Sequence, residues 1–171
     1  KEFKDIMLQR IIEASPKNKN YRYSCLNFML LKEAVENITR QTMDVFIDSV
    51  YFRPMKLERI AYQPLRKFKK EEIIPTVSKD FLRGSKPLQG FVHDEAAAFL
   101  GGVSGNAGMF SSAPEVAAIF QMLLNQGVYN HQRFLSKETC KLFTTMKSSK
   151  SRRGLGFDKP DPNNARYSPC A

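Results

Sequence analysis

The sequence predicts a mainly α chain interrupted by one long irregular stretch, and three observations carry that reading. Apolar residues recur at helical spacing in several separate segments, and small polar residues stand where helix starts need caps. Between Met55 and Val92 no period survives, and Pro64, Pro75, Gly84, Pro87 and Gly90 punctuate the run.

In chain order, Phe3, Ile6, Met7, Ile11 and Ile12 predict a helix over Phe3 to Ala14, which Pro16 ends by disfavouring helical backbone at Ser15. From Ser24 to Thr39 the residues Leu26, Met29, Leu30, Ala34, Val35 and Ile38 form one predicted inner face. A third helix is predicted from Gln41 to Phe52, with Met43, Phe46, Ile47 and Val50 inward and Pro54 beyond it. Asp94 is placed to cap a short helix from Glu95 to Leu100, stopped by Gly101-Gly102. Ser112 and Glu115 have capping-box spacing before a helix over Val116 to Asn125 that would bury Val116, Ile119, Phe120, Leu123 and Leu124. Ser136 caps a last helix from Lys137 to about Met146. A basic linker and a Pro/Asn-rich tail follow.

The chain has 171 residues, 42% of them hydrophobic, which fits a folded domain and excludes wholesale disorder. No apolar run reaches the roughly 18 residues of a membrane span. The net charge is +10, from 27 Lys+Arg against 17 Asp+Glu. Such a balance favours anionic partners. Arg66-Lys67-Phe68-Lys69-Lys70 and the run Lys147 to Arg153 carry much of it, yet no nucleic-acid-binding signature accompanies them, so no nucleic acid is expected. Cys25, Cys140 and Cys170 are too far apart for a CxxC site. With only His93 and His131 beside them, the sequence advertises neither a metal centre nor a cofactor motif.

Chemistry concentrates in two segments. In Tyr21-Arg22-Tyr23-Ser24-Cys25-Leu26-Asn27, a tyrosine directly before a helix start can project its phenol past the helix end, where it could act as a general base. Asn27 follows one turn later. The second segment runs from Val92-His93-Asp94 into Gly101, Gly102, Gly105 and Gly108. It lacks the Gly-Lys-Ser/Thr ending of a phosphate loop and reads as a tight backbone crossing.

Tyr23-Ser24-x-Leu26-Asn27-Phe28, Val92-His93-Asp94-Glu95-Ala96-Ala97, Gly101-Gly102-Val103-x-Gly105-x-Ala107-Gly108-x-Phe110-Ser111, Gln121-Met122-Leu123-Leu124-Asn125 and Gly154-Leu155-Gly156-Phe157 occur in that order. Together they resemble the class C β-lactamase and penicillin-binding-protein superfamily of serine hydrolases, in the branch found in Bacteroidetes and often fused behind a family 3 β-N-acetylglucosaminidase. The resemblance implies the helical portion of the serine β-lactamase/DD-peptidase fold, with the main antiparallel sheet largely missing. Residues 1–171 would form a single partial domain, 55–92 a cleft wall and 147–171 a linker and tail.

It further implies that Tyr23 is the proton-shuttling tyrosine of the second catalytic motif, that Cys25 stands where the motif has Asn or Asp, and that Asn27 is the asparagine of a Tyr-Ser-Asp-Leu-Asn form. The family's nucleophile pair, Ser-x-x-Lys, occurs nowhere in the chain, and neither does the Lys/His-x-Gly strand. The resemblance therefore implies a fragment inactive alone, whose parent would act on β-lactam, D-Ala-D-Ala peptide or ester in the periplasm or cell envelope. Partners would be the remainder of that parent and, through exposed apolar surface, a second copy. The alternatives are a non-catalytic helical binding module or an anion- or nucleic-acid-binding basic domain.

Overall fold

A computed structural model describes residues 3–14, 23–147 and 152–159. The chain divides into two compact units, Lys1–Glu115 and Val116–Ala171. No helix of the described residues is long and apolar enough to cross a membrane.

The first unit opens with α1 (Phe3–Glu13) and α2 (Leu26–Thr39). α2 ends where Arg40 turns left-handed and its N–H bonds the Glu36 carbonyl. α3 (Met43–Ile47) packs against α2 and continues into a π-helical turn over Asp48–Phe52, so the predicted third helix exists but widens halfway. β1 (Ala61–Tyr62) pairs antiparallel with β4 (Met109–Phe110), and β2 (Val77–Asp80) pairs with β3 (Lys86–Leu88) in a hairpin. The stretch after Met55 is thus not featureless. It contributes Met55, Leu57, Ile60 and Leu88 to the core beside Met29, Met43, Phe52 and Ala97. α4 (Glu95–Phe99) is capped as predicted, with Asp94 Oδ1 accepting from the Ala97 amide at 2.7 Å.

The inner face of α2 differs from the predicted one. Met29 and Lys32 are buried, whereas Leu26 is exposed and Ile38 is 82% exposed. Lys32, only 6% exposed, is held by Glu36 at 2.8 Å and Glu33 at 3.1 Å, and Lys4 of α1 reaches Glu33 at 3.0 Å. The other oxygen of Glu36 accepts from the Met43 amide at 2.9 Å, which starts α3. Burial opposes ionisation of Glu36. The Lys32 hydrogen bond, the Met43 amide and the two lysine charges outweigh it and hold the carboxyl below its ordinary 4.5. One buried charge thereby ties three helices together.

Gly105 lies across this helix. A Cβ built there would stand 2.0 Å from the Phe28 carbonyl oxygen and 3.3 Å from Lys32 Cβ, so only glycine permits the contact.

α5 (Ala113–Leu124) starts at the end of the first unit. The expected capping box gives way to a longer bond: Glu115 Oε1 accepts from the Glu58 and Arg59 amides, both at 2.7 Å. Two backbone donors from a distant loop offer that carboxylate more than the single N-cap amide would. The predicted inner stripe of α5 is also corrected. Met122 is buried, while Val116, Phe120 and Leu124 are exposed.

The second unit adds a hairpin that the sequence reading passed over, β5 (Val128–Tyr129) with β6 (Gln132–Arg133). Its two-residue turn, Asn130-His131, has φ of 46° and 63°, the left-handed pair of a type I′ turn. Gly127 precedes it at φ 90°, where a Cβ would lie 2.0 Å from the Leu135 carbonyl. α6 (Lys137–Thr144) is capped by Ser136 as expected and ends two residues early. Leu155 returns to bond the Phe143 carbonyl at 2.9 Å, whereas residues 148–151 and 160–171 of the expected linker and tail lie outside the described residues.

Two stability predictions follow from α2. Glu36→Ala leaves the Lys32 ammonium undercompensated and should cost about 3 kcal/mol in urea unfolding near neutral pH. Because the folded carboxyl titrates below the unfolded one, its contribution is complete above pH 4.5 and fades as pH falls through the depressed folded value. The variant should therefore lose stability less steeply in acid than the wild type. Gly105→Ala should lower stability by about 2 kcal/mol or more through overpacking against α2; an unchanged denaturation midpoint would contradict the crossing.

Candidate active site

Tyr23 stands immediately before α2, and the local hydrogen bonding explains why. The Phe28 and Met29 amides both bond the Cys25 carbonyl, so the first helical turn closes at Cys25. Ser24 Oγ accepts from the Leu26 amide at 3.2 Å and takes up one of the donors a helix start leaves free. Tyr23 is thus two residues before the Cys25 cap, 62% exposed, with its hydroxyl 3.7 Å from Cys25 Sγ. Asn27 is exposed on the first turn. The structure accordingly brings Tyr23 and Cys25 into contact, with Asn27 on the same helical turn.

Tyr62 makes an instructive contrast. Its ring lies against Gly108, where a Cβ would stand 3.3 Å away, and its hydroxyl donates to the Ser104 carbonyl at 2.9 Å. Burial, reinforced by the Asp44 charge, pushes this phenol up to about 12. Tyr51 is also raised by burial. Neither suits general-base work near neutrality.

The glycine segment belongs to the same unit. Ser104 is fully buried and its hydroxyl donates to Asn106 Oδ1 at 2.7 Å, while Asn106 Nδ2 has no partner among the described residues. The expected tight crossing is what the backbone forms: Gly105 abuts Phe28 of α2 and Gly108 abuts the Gly102 carbonyl. His93 is exposed and Asp94 is engaged as a cap, so the pair forms no catalytic dyad. A cavity of about 740 Å³ in this unit is lined by Arg59, Phe68, Ile73, Val92, Gly108 and Phe110.

A family model described as Beta-lactamase matches residues 5–164. The chain belongs to the β-lactamase family. Among its relatives is a putative D-alanyl-D-alanine carboxypeptidase of Escherichia coli K12, 35% identical over 157 residues, covering 85% of this chain and 36% of that protein. An N-acetylmuramyl-L-alanine amidase of Bacillus subtilis is 34% identical over 146 residues, covering 79% of this chain and 33% of that protein. This β-lactamase-family chain therefore spans about a third of the length of the curated relatives it matches. In three dimensions it is similar to the octameric penicillin-binding protein homologue from Pyrococcus abyssi, with TM-score 0.49 and 14% identity over 77% of this chain and 27% of that one.

The sequence reading missed the Lys32 charge cluster and the Tyr62–Ser104 bond. An i,i+4 Lys-Glu pair was visible for the first, but nothing short-range marked the second.

Tyr62→Phe should cost about 1–2 kcal/mol near neutral pH by leaving the Ser104 carbonyl without its donor. The raised phenol adds a signature in base. Its contribution is complete below pH 10 and is lost as pH rises towards 12, because the unfolded phenol ionises first. The stability gap between wild type and Tyr62→Phe should narrow across that window in denaturant titrations.

Proposed function

We propose that this chain is the helical portion of a peptidoglycan-directed acyl-serine hydrolase and that it supplies the tyrosine side of the active site. The observation that carries the reading is the exposed Tyr23 phenol at the start of α2, beside Cys25 and on a family-matched motif. The N-terminal end of α2 lies there, and no acidic residue occupies its first turn.

In this reading a serine of the longer protein attacks the substrate carbonyl and gives its proton to Tyr23 Oη. The same oxygen returns the proton to the leaving nitrogen or alcohol, and water then cleaves the acyl-serine by the reverse path. Cys25 would take the motif's Asn/Asp position as a weak hydrogen-bonding group, and Asn27 would orient α2's first turn. Residues 1–171 act as a single partial domain, with 55–92 as cleft wall and 147–171 as linker. Support for the wall comes from Arg59, Phe68 and Ile73, which line the cavity described above.

The substrate class is a D-Ala-D-Ala peptide, β-lactam or ester, encountered in the periplasm or cell envelope. The exposed stripe Val116, Phe120 and Leu124 would meet the remainder of the longer protein or a second copy.

A second reading, a non-catalytic binding scaffold, is favoured by the absence of Ser-x-x-Lys from the 171 residues. Assays of the full-length protein with nitrocefin, a D-Ala-D-Ala peptide and a p-nitrophenyl ester separate the two. Tyr23→Phe should lower kcat/KM by about 10²–10⁴-fold with the melt unchanged. Wild-type activity that Tyr23→Phe leaves intact would remove the tyrosine assignment, and a full-length protein that turns over none of the three substrates would favour the scaffold.

A further inference from the structure

The β2–β3 hairpin ends in an exposed apolar pair that the proposed chemistry does not use. Phe81 is 75% exposed and Leu82 is 72% exposed. They are not on a loose tip. Asp80, buried beneath them, accepts through Oδ1 from the Leu82 amide at 3.0 Å and the Arg83 amide at 3.1 Å, and its Oδ2 receives the Arg83 guanidinium at 2.6 Å. The Asp80 carbonyl accepts from the Ser85 amide at 2.6 Å. This closed turn spends its only carboxylate inward and turns two large apolar side chains out.

Cations surround the pair. Lys79 lies over the Phe81 ring at 5.1 Å from its centroid, and Lys86 is exposed on the opposite strand. Arg66 and Arg83 line one cavity together with Leu65, Leu88 and Phe91, which puts the start of the Arg66–Lys70 run beside the hairpin. Lys67 sits over Phe68 at 5.5 Å. Glu71 and Glu72 follow that run, but four cations precede them. Among the described residues no carboxylate pairs with Lys79, Lys86, Arg66, Lys67, Lys69 or Lys70.

An apolar tip ringed by unpaired cations has the chemistry of a surface that meets an interface, apolar within and anionic at its edge. We propose that the Phe81–Leu82 hairpin, flanked by Lys79, Lys86 and the Arg66–Lys70 run, docks the protein on an anionic phospholipid bilayer. The two side chains enter the headgroup–acyl boundary while the lysines and arginines meet lipid phosphates. A soluble polyanion would satisfy the cations but has no use for the exposed pair. A plain protein partner would satisfy the pair but would not call for so many unpaired cations. The proposal is independent of the catalytic reading, since neither Tyr23 nor Cys25 takes part.

The chain contains no Trp, so Phe81→Trp and Leu124→Trp each install a single fluorophore, one at the tip and one on exposed α5. Each is mixed with vesicles of phosphatidylcholine alone or of phosphatidylcholine with phosphatidylglycerol. Phe81→Trp emission should shift to the blue only with the anionic vesicles, and Leu124→Trp should not move. In co-sedimentation, Lys79→Glu/Lys86→Glu and Phe81→Ser/Leu82→Ser should each weaken binding by about tenfold or more, and salt should weaken the wild type. All four side chains are exposed, so circular dichroism melts should match the wild type. Equal binding to both vesicle types, a blue shift at position 124 instead of 81, or tip variants that bind like the wild type would each overturn docking. So would polyaspartate capture as tight as vesicle binding and indifferent to the tip. A Phe81→Trp spectrum already blue-shifted without vesicles would assign the pair to a protein contact instead.

Discussion

Burying the Lys32 ammonium is the constraint on which the first unit depends. A lysine taken out of water costs several kcal/mol unless carboxylates and hydrogen bonds compensate it. α2 supplies both carboxylates itself, from Glu33 and Glu36, so the charge is satisfied only while that helix is intact. Each carboxylate then has a second duty. Glu33 holds Lys4 of α1, and Glu36 receives the Met43 amide that opens α3. The Lys32 stem also forms the floor on which Gly105 rests. Helix order, the start of α3 and the path of the glycine segment are therefore consequences of a single desolvated charge.

The same constraint places the candidate chemistry. Tyr23 can project past α2 only because the helix closes at Cys25, and the helix is held at its middle by the Lys32 cluster and the Gly105 crossing. A phenol outside a clamped helix has a defined position without being buried. Burial would be self-defeating, as Tyr62 illustrates: enclosed and bonded to Ser104, it is raised to about 12 and serves structure. Two tyrosines in one unit thus differ in their surroundings: Tyr62 is enclosed and bonded, and Tyr23 is exposed beside Cys25.

Much of this was legible in the sequence where the signal was local. Helix starts marked by Asp94 and Ser136 appear as expected, because a cap needs only a side chain three residues from its amide. The glycine segment read correctly as a crossing, since several glycines so close together seldom have another use. Burial was less legible. Apolar spacing in α5 announces an amphipathic helix but not what covers it, and Val116, Phe120 and Leu124 stand exposed in a chain covering about a third of its relatives' length. In α2 the polar Lys32 displaced the expected apolar residues, because its charges are satisfied at i+1 and i+4 on the same helix. The strands were illegible for another reason. β1 with β4 and β5 with β6 are two residues long, too short for any alternation to show, and the first pair joins segments far apart in sequence.

The charge balance has a comparable structure. Five carboxylates of the first unit are committed inward: Glu33 and Glu36 to lysines, Asp80 to its turn, Asp94 to a cap, and Glu115 to the Glu58 and Arg59 amides. Each acid used this way stabilises backbone or neutralises a buried partner, and none of its charge is left to shield the surface. Lysines and arginines are donors only, so they cannot cap the backbone amides that these carboxylates engage. The consequence is a surface more basic than the composition alone conveys. A net charge of +10 counts acids and bases as though both faced water. Here Asp80 is engaged inside its own turn, and the outward balance around the hairpin is correspondingly more positive.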